Sequence, residues 1–197
     1  MHVLGISGSP KKKGFTNLLL DEALDGARAA GAQTDKIILN DLSFKPCQEC
    51  WGCKDTGVCV HNDDMKMVYQ KIKDADHIII ASPIYFSTIT AQLKMMIDRC
   101  NSLWMARRKE GGNIPSKTGR NGAFICVAGE DKKEYLKNAK SVLKALFATI
   151  GIVYSKELFV GGIDKMTESS PKRKDALLKS YELGASIVQF PSRGRLE

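Results

Sequence analysis

The sequence predicts an α/β fold: a doubly wound, five-stranded parallel sheet with helices on both faces. Three observations carry that reading. Strand-length apolar runs alternate with helix-period segments through five units. The run His77-Ile78-Ile79-Ile80-Ala81 is apolar at consecutive positions, as a strand covered on both faces must be. Small, polar and Gly-rich residues follow the first, third and fourth strands, at the edge where such sheets present ligand sites.

The elements follow in order. Val3-Leu4-Gly5-Ile6 reads as the first strand, ending at Ser7-Gly8-Ser9-Pro10. A helix starts near Thr16, with Leu18, Leu19, Ala23, Leu24 and Ala27 at helical spacing and Gly31 closing it. Lys36-Ile37-Ile38-Leu39 is the second strand. An irregular, cysteine-bearing loop spans 42–62, and Asn62 or Asp63 caps a short helix carrying Met65, Met67, Val68 and Ile72. After the third strand, Ser82-Pro83-Ile84-Tyr85-Phe86-Ser87 leads into a helix over about 90–101. Residues 106–120 read as a long exposed loop containing Arg107, Arg108, Lys109 and Pro115. Gly122-Ala123-Phe124-Ile125-Cys126-Val127 is the fourth strand. A helix over 131–149 turns Leu136, Ala139, Leu143, Leu146 and Phe147 inward, a fifth or broken strand covers 152–160, and a last helix covers roughly 172–190. One domain over 1–195 accounts for this order; Leu196-Glu197 resembles a cloning scar and takes no part in the functional reading.

Composition narrows the function classes. With 43% hydrophobic and 26% charged residues the chain has the make-up of a soluble globular domain. No apolar run approaches the roughly 18 residues of a membrane span, and the N-terminus shows no signal-peptide pattern. A cytoplasmic location with six reduced cysteines is therefore expected. The net charge of +8 lies wholly in the second half: residues 1–100 carry 12 basic and 12 acidic side chains, residues 101–197 carry 18 and 10. Lys133, Lys137, Lys140 and Lys144 form an ordinary solvated helix stripe, so nucleic acid is not an expected partner. A basic rim suits an acidic protein partner or a phosphorylated cofactor.

Two loops suit such a cofactor. Ser7-Gly8-Ser9-Pro10 with Thr16-Asn17 opens a helix directly after a strand, where backbone N–H groups and hydroxyls make an anion site. The loop is neither a Walker loop nor G-x-G-x-x-G, which counts against nucleotide-triphosphate and dinucleotide chemistry. Pro83-Ile84-Tyr85-Phe86-Ser87 then places two aromatics at a strand end, as a flat heteroaromatic ring requires. Together the two loops fit flavin mononucleotide (FMN). Ser7-Gly8-Ser9-Pro10, Gly14-Phe15-Thr16-Asn17 and Ser82-Pro83-Ile84-Tyr85-Phe86 resemble the flavodoxin-like, NAD(P)H-dependent FMN reductase superfamily. That resemblance implies a flavodoxin-like fold with Ser7, Ser9, Pro10, Thr16 and Asn17 around the phosphate. It also implies Pro83, Ile84, Tyr85, Phe86 and Ser87 at the isoalloxazine, bordered by Ala128, Gly129 and Glu130.

The sharpest motif is Cys47-x2-Cys50-x2-Cys53-x5-Cys59. Four thiolates in one loop can converge on one small object, and repeated C-x2-C spacing suits the corners of a 4Fe–4S cubane. The x5 spacing and the lack of a following proline separate it from ferredoxin. A structural zinc is the second reading, although zinc loops usually pair two C-x2-C knuckles across a longer spacer. A redox thiol pair without metal, or inert cysteines, is the third. Cys100 and Cys126, inside a helix and a strand, read as buried structural thiols, and Asp63 and Asp64 as helix-capping residues. His61 is not needed as a ligand, His77 reads as structural, and Trp51 as a shield for the loop or a contact with a neighbouring subunit.

This compact motif, placed before Asp63-Asp64-Met65, resembles the iron–sulfur flavoprotein family. The resemblance implies FMN plus one 4Fe–4S cluster per subunit, held by Cys47, Cys50, Cys53 and Cys59, in a homo-oligomer (dimer or tetramer) where cluster and flavin of different subunits approach. The expected function is electron transfer between a one-electron donor and FMN, and then to an acceptor, with ferredoxin or NAD(P)H as donor and no side chain acting as general acid or base. Two rivals stand beside it. One is an NAD(P)H-dependent FMN reductase for quinone, nitro or azo acceptors, its loop empty or holding zinc; the other is a zinc-stapled binding module.

Overall fold

A computed structural model describes residues 1–109 and 119–189. Its sheet has five strands in the order β2-β1-β3-β4-β5, all parallel. They are β1 (His2–Ser7), β2 (Gln33–Ile38), β3 (His77–Pro83), β4 (Asn121–Val127) and β5 (Val153–Val160). The helices are α1 (Phe15–Ala29), α2 (Met65–Asp74), α3 (Ala91–Arg99), α4 (Asn101–Lys109), α5 (Lys133–Thr149) and α6 (Pro171–Val188). This is the flavodoxin-like order, with its switch point between β1 and β3. Among the described residues no helix is long and apolar enough to cross a membrane.

The apolar runs are continuous because each central strand is buried on both faces. Along β3, Ile78 and Ile80 pack with Met65, Val68 and Ile72 of α2, Leu93 and Met96 of α3, and Leu143 and Phe147 of α5. Ile79 and Ala81 face the opposite layer, where α1 supplies Leu19, Leu20, Ala23 and Leu24 and α6 supplies Ala176, Leu183 and Ile187. Strand β4 alternates likewise, Phe124 and Cys126 to the first layer and Ala123, Ile125 and Val127 to the second. Full burial of such a side chain contributes about 1.5–3 kcal/mol, so both layers are held hydrophobically. On β1, Gly5 admits α1: a Cβ there would lie 2.8 Å from a Leu24 methyl.

Three expectations change. The fifth strand is a single element whose register skips a residue at Gly122/Ala123, so the broken pattern is a bulge with Ser155 donating to the Gly122 carbonyl at 3.1 Å. The helix after β3 does not yield to a loop at residue 106. It kinks at Cys100 and continues as α4 to Lys109, because Leu103 and Met105 are buried, Arg107 donates to the Ala148 carbonyl, and Arg108 stacks 4.7 Å over Trp104. Strand β2 begins at Gln33, ahead of Lys36, because its outer side chains make edge ion pairs such as Lys36–Asp21 and Lys71–Asp35. The remainder of the 106–120 loop up to residue 118, and Leu196-Glu197, lie outside the described residues.

Candidate functional site

The carboxyl ends of β1, β3 and β4 bring three loops to one edge of the sheet, as the sequence led us to expect. The first loop is fastened to the third strand: Gly8 N–H donates to the Ala81 carbonyl at 2.8 Å, and the Thr90 hydroxyl donates to the Gly8 carbonyl at 2.7 Å. Thr90 also accepts the Leu93 N–H, so one buried hydroxyl caps α3 and fixes the first loop. Ser7, Ser9, Thr16 and Asn17 are buried here, with Pro10 half-buried beside them. Ser7 Oγ accepts the Ser9 N–H, and Ser9 Oγ accepts the Lys11 N–H. Helix α1 begins with no side-chain cap at Gly14 and no acidic residue in its first turn, leaving its positive end without a counter-charge from the helix itself. Asn17 Nδ2 donates to the Lys11 carbonyl, while its buried Oδ1 has no partner among the described residues.

The second loop is a tight turn. Ile84 N–H donates to the Val127 carbonyl at 2.7 Å, and Tyr85 and Thr88 exchange backbone hydrogen bonds across the turn. Its central residues, Phe86 and Ser87, have φ of 47° and 66°. That is type I′ geometry, which normally takes Asn-Gly; a phenylalanine there carries about 1–2 kcal/mol of left-handed strain. Phe86 is fully exposed and Tyr85 half so, while Pro83 and Ile84 are half-buried. In the third loop Ala128 is buried, and Gly129 is glycine for a reason the sequence did not reveal: a Cβ there would meet the Asp164 carboxylate at 2.4 Å. Glu130 is exposed and held by Lys132 and the Tyr135 hydroxyl, which lower its pKa.

The four cysteines lie elsewhere. Cys47, Cys50, Cys53 and Cys59 all line one cavity of about 540 Å³, together with the stretch from Ile97 to Ser102, Trp104 of α4 and Leu146 of α5. No residue of the three loops lines this cavity. The loop winds tightly at Cys50, with Glu49 and Trp51 on either side at φ of 51° and 58°. Burial raises the Cys53 pKa, and the charges of Cys59, Cys47 and Cys50 raise it further, so all four sulfurs share one electrostatic neighbourhood. Among the described residues no three or more His, Cys, Asp or Glu side chains are grouped so as to hold a metal ion. Cys100 and Cys126 are buried, and burial pushes each thiol up to about 12, which keeps them protonated and unreactive.

The neck of the cysteine loop holds what sequence reasoning missed. Asp64 accepts the Ser43 N–H at 2.6 Å, joining the two ends of the loop. Asp63 does accept the Met65 N–H, as a capping residue would, but its main partner is Arg99, whose two terminal nitrogens reach its carboxylate at 2.7 and 3.0 Å. The signal was present: Leu93, Met96 and Arg99 follow helical spacing, which puts an arginine on the buried face, and a buried arginine needs an acid. His61 lines the same cavity with a buried Nε2 that has no partner among the described residues, and Trp51 is more than half exposed in the single chain. His77 is structural as expected, its Nδ1 accepting the Asn121 N–H between β3 and β4.

The Asp63–Arg99 pair gives a pH prediction. The hydrogen bonds from Arg99 hold the Asp63 pKa below its ordinary value. A group whose folded pKa is depressed contributes stability above its unfolded pKa, about 3.9, and loses it as pH falls through the folded value. Asp63→Asn should therefore cost about 3 kcal/mol near neutrality, where it strands a buried guanidinium, and should differ less from the parent as the pH falls through the depressed Asp63 pKa. Urea unfolding of both proteins from pH 7 to pH 2.5 reads this, and parallel pH curves would overturn it.

Fold and loop placement define the class: a flavodoxin-like protein with a cysteine-lined cavity beside the helices of one layer. Residues 1–160 match the family described as NADPH-dependent FMN reductase. The chain is 43% identical to an iron-sulfur flavoprotein of Methanocaldococcus jannaschii over 62% of this chain and 65% of that one, just under two thirds of that relative. It is 36% identical to an iron-sulfur flavoprotein of Methanosarcina thermophila over 83% of this chain and 82% of that one. Among solved structures, an FMN-dependent NADH-azoreductase from Bacillus anthracis, in complex with FMN, superposes with a TM-score of 0.72 over 95% of this chain and 99% of that one, at 17% identity. The chain belongs to the iron–sulfur flavoproteins of the NADPH-dependent FMN reductase family.

Proposed function

We propose that this chain is an FMN-dependent oxidoreductase that passes electrons between a one-electron donor and its flavin by way of a 4Fe–4S cluster held by Cys47, Cys50, Cys53 and Cys59. The observation that carries the cluster is the opening of all four thiols into one cavity. The donor set is all sulfur, the choice of iron–sulfur chemistry, and the left-handed residues flanking Cys50 are the kind of local strain that functional loops store. Bound FMN exchanges one or two electrons and so joins a one-electron partner such as ferredoxin to a two-electron partner such as NAD(P)H.

The chain's own residues bind, orient and shield. The uncapped start of α1, with Ser7, Ser9, Pro10, Thr16 and Asn17, would hold the phosphate, and the unpartnered Asn17 Oδ1 is an acceptor that a hydroxyl-bearing ligand satisfies. Pro83, Ile84, Tyr85, Phe86 and Ser87 would line the isoalloxazine, with Ala128, Gly129 and Glu130 at its border. The thiol cavity and the flavin loops share no lining residue, so a homo-oligomer that sets the cavity of one subunit against the loops of another brings the two cofactors together. Trp51 and Phe86, both exposed, are the aromatics we place at that contact. We place the protein in the cytoplasm, where thiols stay reduced.

Anaerobic preparation followed by an absorption spectrum, iron, sulfide and FMN quantitation, and sizing in solution tests the reading. Expected are stoichiometric FMN, about four irons per chain, as a cubane holds, and at least a dimer. Each single Cys→Ala change in the loop should remove the iron and keep FMN and the melting temperature, because the loop lies outside the sheet. Zinc or no metal in the parent protein would leave an FMN reductase without a cluster, full iron in Cys59→Ala would remove that ligand, and a strict monomer would remove the cross-subunit contact.

A further inference from the structure

Arg99 belongs to neither the cysteine loop nor the flavin loops, yet it is the residue on which the cysteine loop closes. Its side chain is 1% exposed. One terminal nitrogen donates to the Lys45 carbonyl at 2.8 Å and to Asp63 at 2.7 Å. The other donates to Asp63 at 3.0 Å and to Cys59 Sγ at 3.4 Å. One planar group thus grips the chain two residues before Cys47, the fourth cysteine itself, and the carboxylate that ends the loop. A guanidinium has five N–H donors in a fixed fork, and this geometry occupies four of them; an ammonium cannot make the same set. The fifth, Nε–H, is buried and has no acceptor among the described residues, on a residue that lines the thiol cavity. A buried donor without an acceptor is costly, and the four bonds made by the terminal nitrogens are what hold the group in place.

We propose that Arg99 is the positioning residue of the cysteine loop: it clamps both ends and sets a fixed positive charge against the Cys59 sulfur, which favours the reduced, more negative state of whatever that sulfur binds. The charge half of this inference rests on the cluster reading; the clamp half does not. Asp63 stands one hydrogen bond behind the guanidinium with the opposite charge. Removing each partner therefore acts on the bound group with opposite sign, a signature that mere loosening of the loop cannot produce.

The test uses three variants of the iron-loaded protein, Arg99→Gln, Arg99→Lys and Asp63→Asn, with the cluster's midpoint potential read by anaerobic titration. Arg99→Gln should lower the potential by at least about 59 mV, a tenfold shift of a one-electron equilibrium toward the oxidised form. Asp63→Asn should raise it, and Arg99→Lys, which keeps the charge, should stay within that tenfold range. Shifts of one sign in all three, or an unchanged Arg99→Gln, would overturn the charge role. Hydrogen exchange on the metal-free chain reads the clamp separately. Amides of residues 43–62 should exchange about tenfold faster in Arg99→Gln, and at an intermediate rate in Arg99→Lys, with the sheet unchanged. Equal exchange in all of them would overturn the clamp. A parent protein that takes up no iron removes the cluster reading and the charge half together, while the exchange result still decides the clamp.

Discussion

Thr16→Glu is expected to abolish FMN retention while leaving the chain folded. Thr16 is buried in the first turn of α1, beside Ser7, Ser9 and Asn17, where the helix has neither a side-chain cap nor an acid of its own. A hydrogen bond to a charged group is worth about 1.5–3 kcal/mol, or roughly ten- to hundredfold in affinity, and a carboxylate adds repulsion of the phosphate to that loss. An acid at an exposed helix N-terminus contributes about 0.3–1 kcal/mol to stability, and at the buried Thr16 position that gain offsets part of the cost of desolvating the carboxylate. Flavin content after purification, flavin titration of the stripped protein, and a thermal melt separate the two effects. Ser9→Glu is the companion variant, since Ser9 Oγ accepts the Lys11 N–H inside the same loop. Unchanged flavin occupancy in both variants would remove the phosphate from this loop.

The architecture was legible because burial on two faces writes itself into sequence as unbroken apolar runs. Ile78, Ile79 and Ile80 serve opposite layers in turn, so no polar residue interrupts them. The parts that were not legible depend on tertiary partners. Arg107, Arg108 and Lys109 look like loop residues until the Ala148 carbonyl and the Trp104 ring are in place to receive two of them. Ser155 gives no sign of a bulge, because the extra residue is defined only against β4. Gly129 entered the reading only through the resemblance; its closeness to the Asp164 carboxylate, which leaves no room for a side chain, depends on a partner 35 positions away and is not written in the local sequence. Within the candidate site, the cysteines and the hydroxyl-rich loop announce themselves by residue type. Arg99 shows only that it lies on the buried face of its helix, and its partner Asp63 stands 36 positions away.

Gly184 tests whether the α1–α6 layer positions the phosphate loop. A Cβ at Gly184 would lie 1.7 Å from the Ala23 carbonyl oxygen, and one at Gly26 would lie 2.0 Å from the Tyr181 carbonyl oxygen. Both obstacles are backbone, which cannot swing aside as a side-chain end does. The two helices therefore cross in contact through a glycine on each, and the buried Ser180 hydroxyl fastens the crossing by donating to the Leu19 carbonyl at 2.6 Å. Gly184→Val must push α6 off α1, break that hydrogen bond and open the layer holding Leu183 and Ile187. Changes of this kind belong to the exceptional class above about 4 kcal/mol, against a total domain stability of about 5–15 kcal/mol. Gly184→Ala, which meets the same carbonyl with less bulk, should lose about 2–3 kcal/mol, within the range of overpacking, and so remain measurable by urea unfolding. Leu178→Ala, on the exposed side of α6, should stay within about 0.5 kcal/mol of the parent. Because α1 begins at the loop proposed to hold the phosphate, both glycine variants should also bind FMN less tightly, in proportion to the stability they lose. The cysteine variants should not, since their loop belongs to the opposite layer. A Gly184→Val protein that melts with the parent would mean that the helices can separate freely, and that the sheet alone holds the flavin loops.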